Sequence, residues 1–367
     1  MKNTLLIAPT VERGGISTWA NKYLKCFAST DFRLVSIDST AKHRGEESEK
    51  SQLKRIRGGL LDLKGLRKEV KAVIKNRRID IMHTTTSGSL GTFRDYVLGK
   101  ICKKNGLKTI MHCHYGNIPE VLNSKGLFKY FLLYTMGMYD ELWILDSKTA
   151  GALKIYDKLK DKVYIMPNGI DVADSFDNRL KSFKKIAFVG SLIPSKGIFE
   201  LIEAVLKIKR DDVILYIIGA GDKETNEVIK LMCKEQLGTK VQLLGKMANK
   251  DAVNFMNNID ILALPTYYKF EAFPISILEA MSRGKLVIAT NRAAIPNMLT
   301  ALDGSMCGIL VEEKSVDAIK NAIEYCIDHP DEGNKMCEKA FQKAKESYSL
   351  DVVYKMSEER YRSLSGN

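Results

Sequence analysis

Eleven short apolar runs, separated by stretches of helical periodicity, restrict most strongly what this chain can fold into. They cover residues 4–8, 32–37, 79–83, 109–114, 141–145 and 163–166, then 185–189, 213–218, 241–244, 259–264 and 286–289. Runs this short suit buried strands, and helices between successive strands impose parallel crossovers. The expected class is therefore α/β, with doubly wound parallel sheets. The later runs are followed by Gly190, Gly219, Gly245, Pro265 and Thr290, residue types found where backbone turns sharply or approaches a ligand. Between the two sets, Pro167, Asn168 and Gly169 are turn formers. The expected division is a first domain over 1–171, a second over 172–348, and a terminal helix within 349–367.

The 367 residues, 45% of them hydrophobic, are enough for two cores. No run of about 20 apolar residues occurs, so no membrane-spanning helix is expected. The apolar start of the chain reads as a first strand rather than a signal peptide. Seven scattered cysteines without a Cys-x-x-Cys pair point to a reducing, cytoplasmic setting and away from a zinc site. Charge is uneven. Residues 1–171 hold 30 Lys+Arg against 17 Asp+Glu, while the remainder balances at 27 each. Within 42–78 alone there are 13 basic and 5 acidic residues. Such asymmetry suggests an anionic partner, with a solvated basic face that has no specific partner as the alternative. An anionic membrane surface is the expected one, with the protein peripheral on its inner face. Nucleic acid is not expected, since no recognisable binding motif accompanies the charge. The apolar, aromatic segment 126–138 reads as a core or interdomain helix, with a membrane-docking or lipid-acceptor face as the alternative.

The stretch 269–281 carries two carboxylates, Glu271 and Glu279, eight positions apart around Pro274. Proline suits a helix start, so the helix is expected to begin near Pro274, with Glu271 in the loop before it and Glu279 about two turns along. Early N–H groups between Phe273 and Ile277 would then be available to an anion. Two solvated glutamates are the plainer reading of the same spacing. Upstream, the segment 190–197 follows a strand and opens a helix, with Lys196 inside it. Gly14 and Gly15 follow the first strand and permit close backbone approach. They do not make a dinucleotide fingerprint, nor do Gly219 and Gly221. His112 and His114 alternate on one strand and so face the same way. No third ligand stands near them in sequence, so no metal is expected there.

Together these landmarks resemble the retaining glycosyltransferases of family 4, over nearly the whole chain. The stretch from Glu271 to Glu279 is similar to that family's E-x7-E signature, and residues 167–171 to its passage between domains. Residues 190–197 resemble its Gly-Arg-Leu-x-x-x-Lys-Gly loop, with Ser191 standing where arginine is usual. The resemblance implies GT-B architecture, two Rossmann-like domains facing a central cleft, with the tail crossing back to the first domain. It implies that Lys196 neutralises the donor diphosphate, with Arg13 a candidate to replace the missing arginine. Glu279 would accept from the ribose hydroxyls, and Glu271 would attend the donor sugar. Backbone at Phe273, Pro274, Ile275, Ser276 and Ile277 would meet the sugar and distal phosphate. Gly245 and Lys246 would hold the base, and Gly14, Gly15 and Ser191 would line the donor. His114 would contact the sugar near its anomeric carbon.

His114, Lys196 and Glu271 are thus the expected catalytic residues. The implied reaction is metal-independent retaining transfer, without a cofactor, from a nucleotide-sugar donor to a saccharide or lipid-linked acceptor in surface-polysaccharide or glycolipid assembly. Another GT-B enzyme, such as a nucleotide-sugar epimerase or a phosphorylase, is the alternative. A basic nucleic-acid-binding protein is the alternative of another class.

Overall fold

The computed structural model describes residues 1–11, 14–43, 52–89, 91–176 and 182–366. The chain divides into two compact units, one of Met1–Asn168 with Val353–Asn367, the other of Gly169–Val352. Each carries a six-stranded sheet in which every pair is parallel. The GT-B fold class read from the sequence is the one observed.

The first unit runs β1 (Lys2–Ala8), α1 (Gly15–Cys26), β2 (Phe32–Asp38), α2 (Gln52–Asn76), β3 (Ile81–Thr86) and α3 (Gly91–Lys104). It continues with β4 (Lys108–Cys113), α4 (Ile118–Asn123), α5 (Phe128–Gly137), β5 (Glu141–Ile144), α6 (Ser147–Lys154) and β6 (Val163–Ile165). The sheet order is β2-β1-β3-β4-β5-β6. Helices α2 to α6 cover one face through a core that includes Val70, Leu98, Ile118, Leu132 and Leu153. Residues 65–76 show helical periodicity in the sequence, yet α2 begins at Gln52. Gly58 and Gly59 lie inside it and lower its intrinsic propensity by about 1 kcal/mol each, which hides its first half.

The second unit runs β7 (Lys185–Val189), α7 (Ile198–Lys207), β8 (Ile214–Ile218), α8 (Lys223–Cys233), β9 (Val241–Gly245), α9 (Asn249–Phe255) and β10 (Ile261–Leu264). Then come α10 (Ile275–Met281), β11 (Leu286–Thr290), α11 (Ile295–Met298), β12 (Ile309–Val311), α12 (Val316–Asp328) and α13 (Pro330–Tyr348). Its order is β12-β11-β10-β7-β8-β9. The three-residue β12 is too short to show a period, and sequence reading passes over it. Helix α7 shows why the layers form: Ile198, Leu201, Ile202 and Val205 recur at helical spacing and are all buried.

Helix α14 (Leu350–Ser365) ends the chain, and from Val353 it packs within the first unit, on the face that α1 also covers. Its Tyr361 is fully buried beside Phe32 and Trp143, and Arg360 pairs with the buried Glu141.

Candidate functional site

Strand order places the site of the second unit. From β7 the sheet grows through β8 and β9 on one side and through β10, β11 and β12 on the other. Loops leaving β7 and β10 therefore part in opposite directions, and the crevice at such a switch point is where open α/β sheets bind ligands. The loop after β7 carries Ser191 and Lys196; the loop after β10 carries Glu271.

Glycine holds these loops together. Gly197 has φ +79, and a Cβ there would lie 2.2 Å from the Pro265 carbonyl oxygen. Gly219 packs as closely on Gly190, where a Cβ would stand 1.8 Å from that residue's carbonyl oxygen. The Tyr267 N–H donates to the Ser195 carbonyl at 2.8 Å, a further tie between the loops.

Across this seam Lys196 Nζ lies 3.2 Å from Glu271 Oε2, with side chains 19% and 9% exposed. The Thr266 hydroxyl donates to the same carboxylate oxygen at 3.2 Å, and Lys196 also stands 5.8 Å from the centre of the Tyr268 ring. Two residues expected to serve different parts of a ligand are thus ion-paired with each other. Burial raises the Tyr268 phenol above its usual range, and the Glu271 charge adds to the effect.

Glu279 is buried, and Asn249 at the start of α9 donates to its Oε1 at 2.9 Å. The guanidinium of Arg283 reaches the main-chain carbonyl of Glu279 at 3.3 Å. Neither glutamate is a solvated surface residue. Thr266 and Asn249 are the partners that sequence reading misses. Thr266, one residue past Pro265 at a strand end, carried a positional signal; Asn249 carried none.

Three details of the sequence reading change. Pro274 is the N-cap of α10, but Glu279 is only the fifth residue of that helix, a little over one turn in. The Ile277 N–H already donates to the Pro274 carbonyl at 3.1 Å, and Pro274 has no N–H. Among Phe273 to Ile277, first-turn donors are thus fewer than the helix start promised, with Ile275 and Ser276 the remaining ones inside the helix. Gly14 is the N-cap of α1 with φ 170, extended backbone open to any residue, and a Cβ there would meet nothing within 4 Å. Nothing in the local backbone demands glycine at that position.

Gly245 ends β9 with φ +71, and its carbonyl accepts from the Gly219 N–H at 2.9 Å; Lys246 beside it is exposed. Ser191 is exposed, its carbonyl accepting from the Ile193 N–H. Arg13 lies outside the described residues.

Gly14, Gly15 and His114 belong to the first unit. His114 follows β4, its ring 4.1 Å from that of His112 and 4.8 Å from Trp19. His112 is buried, with Nδ1 3.3 Å from His83 Nε2, and His83 Nδ1 lies 2.7 Å from the Tyr361 hydroxyl. Burial holds His83 and His114 down to about 3, and with His83 the His114 charge works in the same direction. His112 is likewise held well below the usual range, by burial first and by the other two rings next. His83 is the third ring that the sequence left unseen. It hydrogen-bonds to His112 rather than sharing a ligand with it. Among the described residues no group of three or more His, Cys, Asp or Glu is placed to hold a metal ion. No described helix is long and apolar enough to cross a membrane.

Residues 173–346 match the family described as glycosyl transferases group 1. An uncharacterised glycosyltransferase of Methanocaldococcus jannaschii is 24% identical over 314 residues, 84% of each chain. The UDP-Gal:alpha-D-GlcNAc-diphosphoundecaprenol alpha-1,3-galactosyltransferase of Escherichia coli is 24% identical over 280 residues, 68% of this chain and 67% of its own. Among solved structures, sucrose-phosphate synthase from Thermosynechococcus elongatus superposes with a TM-score of 0.78 at 15% identity over 99% of both chains. The switch-point site lies in the matched region, so residues 173–346 are similar to the glycosyl transferases group 1 where the site is built, in a chain of GT-B fold.

Proposed function

We propose that this protein is a retaining, metal-independent glycosyltransferase that moves a sugar from a nucleotide-diphosphate sugar to an acceptor hydroxyl. The observation that carries the reading is the Lys196–Glu271 pair at the switch point, with Glu279 held by Asn249 farther along the same segment. A lysine at 3.2 Å from a carboxylate is a cation that incoming phosphate can take over, releasing Glu271 to accept from sugar hydroxyls. Glu279, with two acceptor oxygens, suits a ribose diol. The N–H groups of Ile275 and Ser276 add donors for the distal phosphate. Gly245 and Lys246 are assigned to the base.

In the proposed reaction the bond from the anomeric carbon to the leaving phosphate oxygen breaks, and its electron pair stays with the phosphate. The acceptor oxygen attacks from the same face, and its proton passes to the departing phosphate. Lys196 opposes the charge that grows there, in place before the reaction starts. Positioning supplies much of the rest. The two glutamates do not act as a glycosidase pair. The first unit is assigned to the acceptor, saccharide or lipid-linked, and His114 to the donor sugar on family resemblance. The Escherichia coli relative is named for a UDP-sugar donor and a diphosphoundecaprenol acceptor, which supports surface-polysaccharide or glycolipid assembly as the setting.

The test is a panel of nucleotide sugars offered to the purified protein in chelator, with the anomeric configuration of any product read by NMR. Turnover with retention is expected, and Glu279→Ala should weaken nucleoside-diphosphate binding at least about tenfold. An inverted product removes the mechanism. Unchanged affinity in Glu279→Ala removes the ribose assignment. Free epimerised or phosphorolysed sugar would point to another GT-B reaction.

A further inference from the structure

The outer surface of α3 and α5 carries a ladder of aromatic rings. Phe131 stands 6.3 Å from Phe93, 5.7 Å from Tyr96 and 6.4 Å from Phe128, and Tyr96 lies 6.1 Å from Tyr134. These rings do not close a core. Phe93, Phe128 and Tyr134 are exposed, Tyr134 to 62%, and Leu127 at the N-cap of α5 is exposed to 84%. Soluble surfaces scatter single apolar residues, but a contiguous cluster of this kind marks an interaction site.

The charge around it is mostly positive. Residues 91–104 and 124–138 contain six Lys or Arg and one acid, Asp95, which is fully buried against Arg94. Lys100 lies over the Tyr96 ring at 5.3 Å and Lys129 over the Tyr130 ring at 5.1 Å. Helix α2, packed on α3, contributes eight Lys or Arg against two acids.

We infer that this face of the first unit docks on an anionic lipid surface. Tyrosines at the rim suit the headgroup level, Leu127 and Phe128 suit the acyl boundary, and flexible lysines keep their charge at the phosphates. A second copy of the chain would bring the same positive charge and be repelled. The exposed leucine adds nothing to nucleic-acid stacking. The inference gives the proposed transferase a way to meet a lipid-linked acceptor, but it rests on this surface and not on the donor site.

The experiment is co-sedimentation of the full chain with vesicles of phosphatidylcholine, alone or with about 30% phosphatidylglycerol. Binding is expected to the anionic vesicles alone and to weaken with salt. Both tryptophans, Trp19 and Trp143, are buried, so a Tyr134→Trp variant reports the patch. Its emission should shift to the blue and be quenched by lipids brominated in the chain. The double variant Leu127→Ser/Tyr134→Ser should lose at least about tenfold in partitioning with donor hydrolysis and thermal unfolding unchanged. Lack of binding to anionic vesicles overturns the inference. So does binding that the double variant leaves intact, which would be charge attraction elsewhere. RNA binding or self-association abolished by the same two substitutions would also overturn it, by assigning the patch to another occupant. Because donor hydrolysis is read separately, failure here leaves the transferase reading standing, and the reverse holds.

Discussion

The Lys196–Glu271 pair predicts a specific pattern of coupled energies. At 3.2 Å, Coulomb attraction is about 1 kcal/mol if bulk water screens it and about 5 kcal/mol at the effective dielectric of a part-buried site. Desolvation opposes it, so the net coupling should fall near 1–2 kcal/mol. Lys196→Met keeps the stem and removes the charge, leaving a carboxylate only 9% exposed with the Thr266 hydroxyl as its remaining close polar contact here. That variant should cost about 2–3 kcal/mol. Glu271→Gln keeps an oxygen for Thr266 and should cost about 1 kcal/mol. The double variant should cost less than the sum by the coupling energy.

Both tryptophans lie in the first unit. The part of the far-UV circular dichroism change in urea that tryptophan fluorescence does not follow therefore reports the second unit. If the two costs add within about 0.5 kcal/mol, the pair carries no energy, and the argument that phosphate displaces Glu271 from Lys196 falls with it. If they couple, Lys196→Met should also lose at least about tenfold in nucleoside-diphosphate affinity.

Gly197→Ala places a Cβ 2.2 Å from backbone at φ +79; it should destabilise the second unit by more than about 2 kcal/mol in urea, with donor binding lost in parallel. Tyr361→Phe deprives Tyr23 and His83 of a buried partner and should cost about 1–2 kcal/mol, seen as earlier loss of tryptophan fluorescence, with the second unit's transition unmoved. The buried histidines make the first unit acid-sensitive. Their folded pKa values are depressed, to about 3 for His83 and His114, so between pH 3 and 6.5 the unfolded chain binds more protons. Stability should be full above pH 6.5 and fall on acidification with a slope of up to about 1.4 kcal/mol per pH unit per histidine; His83→Leu should flatten the slope, and an unchanged slope would remove that histidine from the account.

Much of this protein is legible in one dimension. Apolar runs with helical spacers are local patterns, and ten of the eleven strands they imply lie within two residues of the observed ones at each end; residues 79–83 are the exception, since β3 spans Ile81–Thr86. The missed strand is β12, three residues long, and the shortened helix is α2, where two glycines mask a periodic face. Glu271, Glu279 and Lys196 were grouped by the resemblance of their surroundings to a family's motifs; turn residues alone marked only the loops that carry them.

What the chain's order could not reveal is who pairs with whom. Lys196 and Glu271 are 75 positions apart, His83 and His112 are 29 apart, and His83 and Tyr361 are 278 apart. Each pair meets only because parallel crossovers and the returning tail bring distant segments together, and contact between side chains carries no period in the sequence. The aromatic ladder shows the same limit. Segment 126–138 reads first as a core or interdomain helix, yet burial of one helical face against α3 leaves the rings of the other facing water. The sequence by itself determined the α/β alternation, the turn that divides it and the carboxylates beside a helix start. Tertiary structure alone decided that Glu271 answers Lys196 and Glu279 answers Asn249, and which aromatic face is left uncovered, because these depend on packing between segments that the chain's local chemistry does not encode.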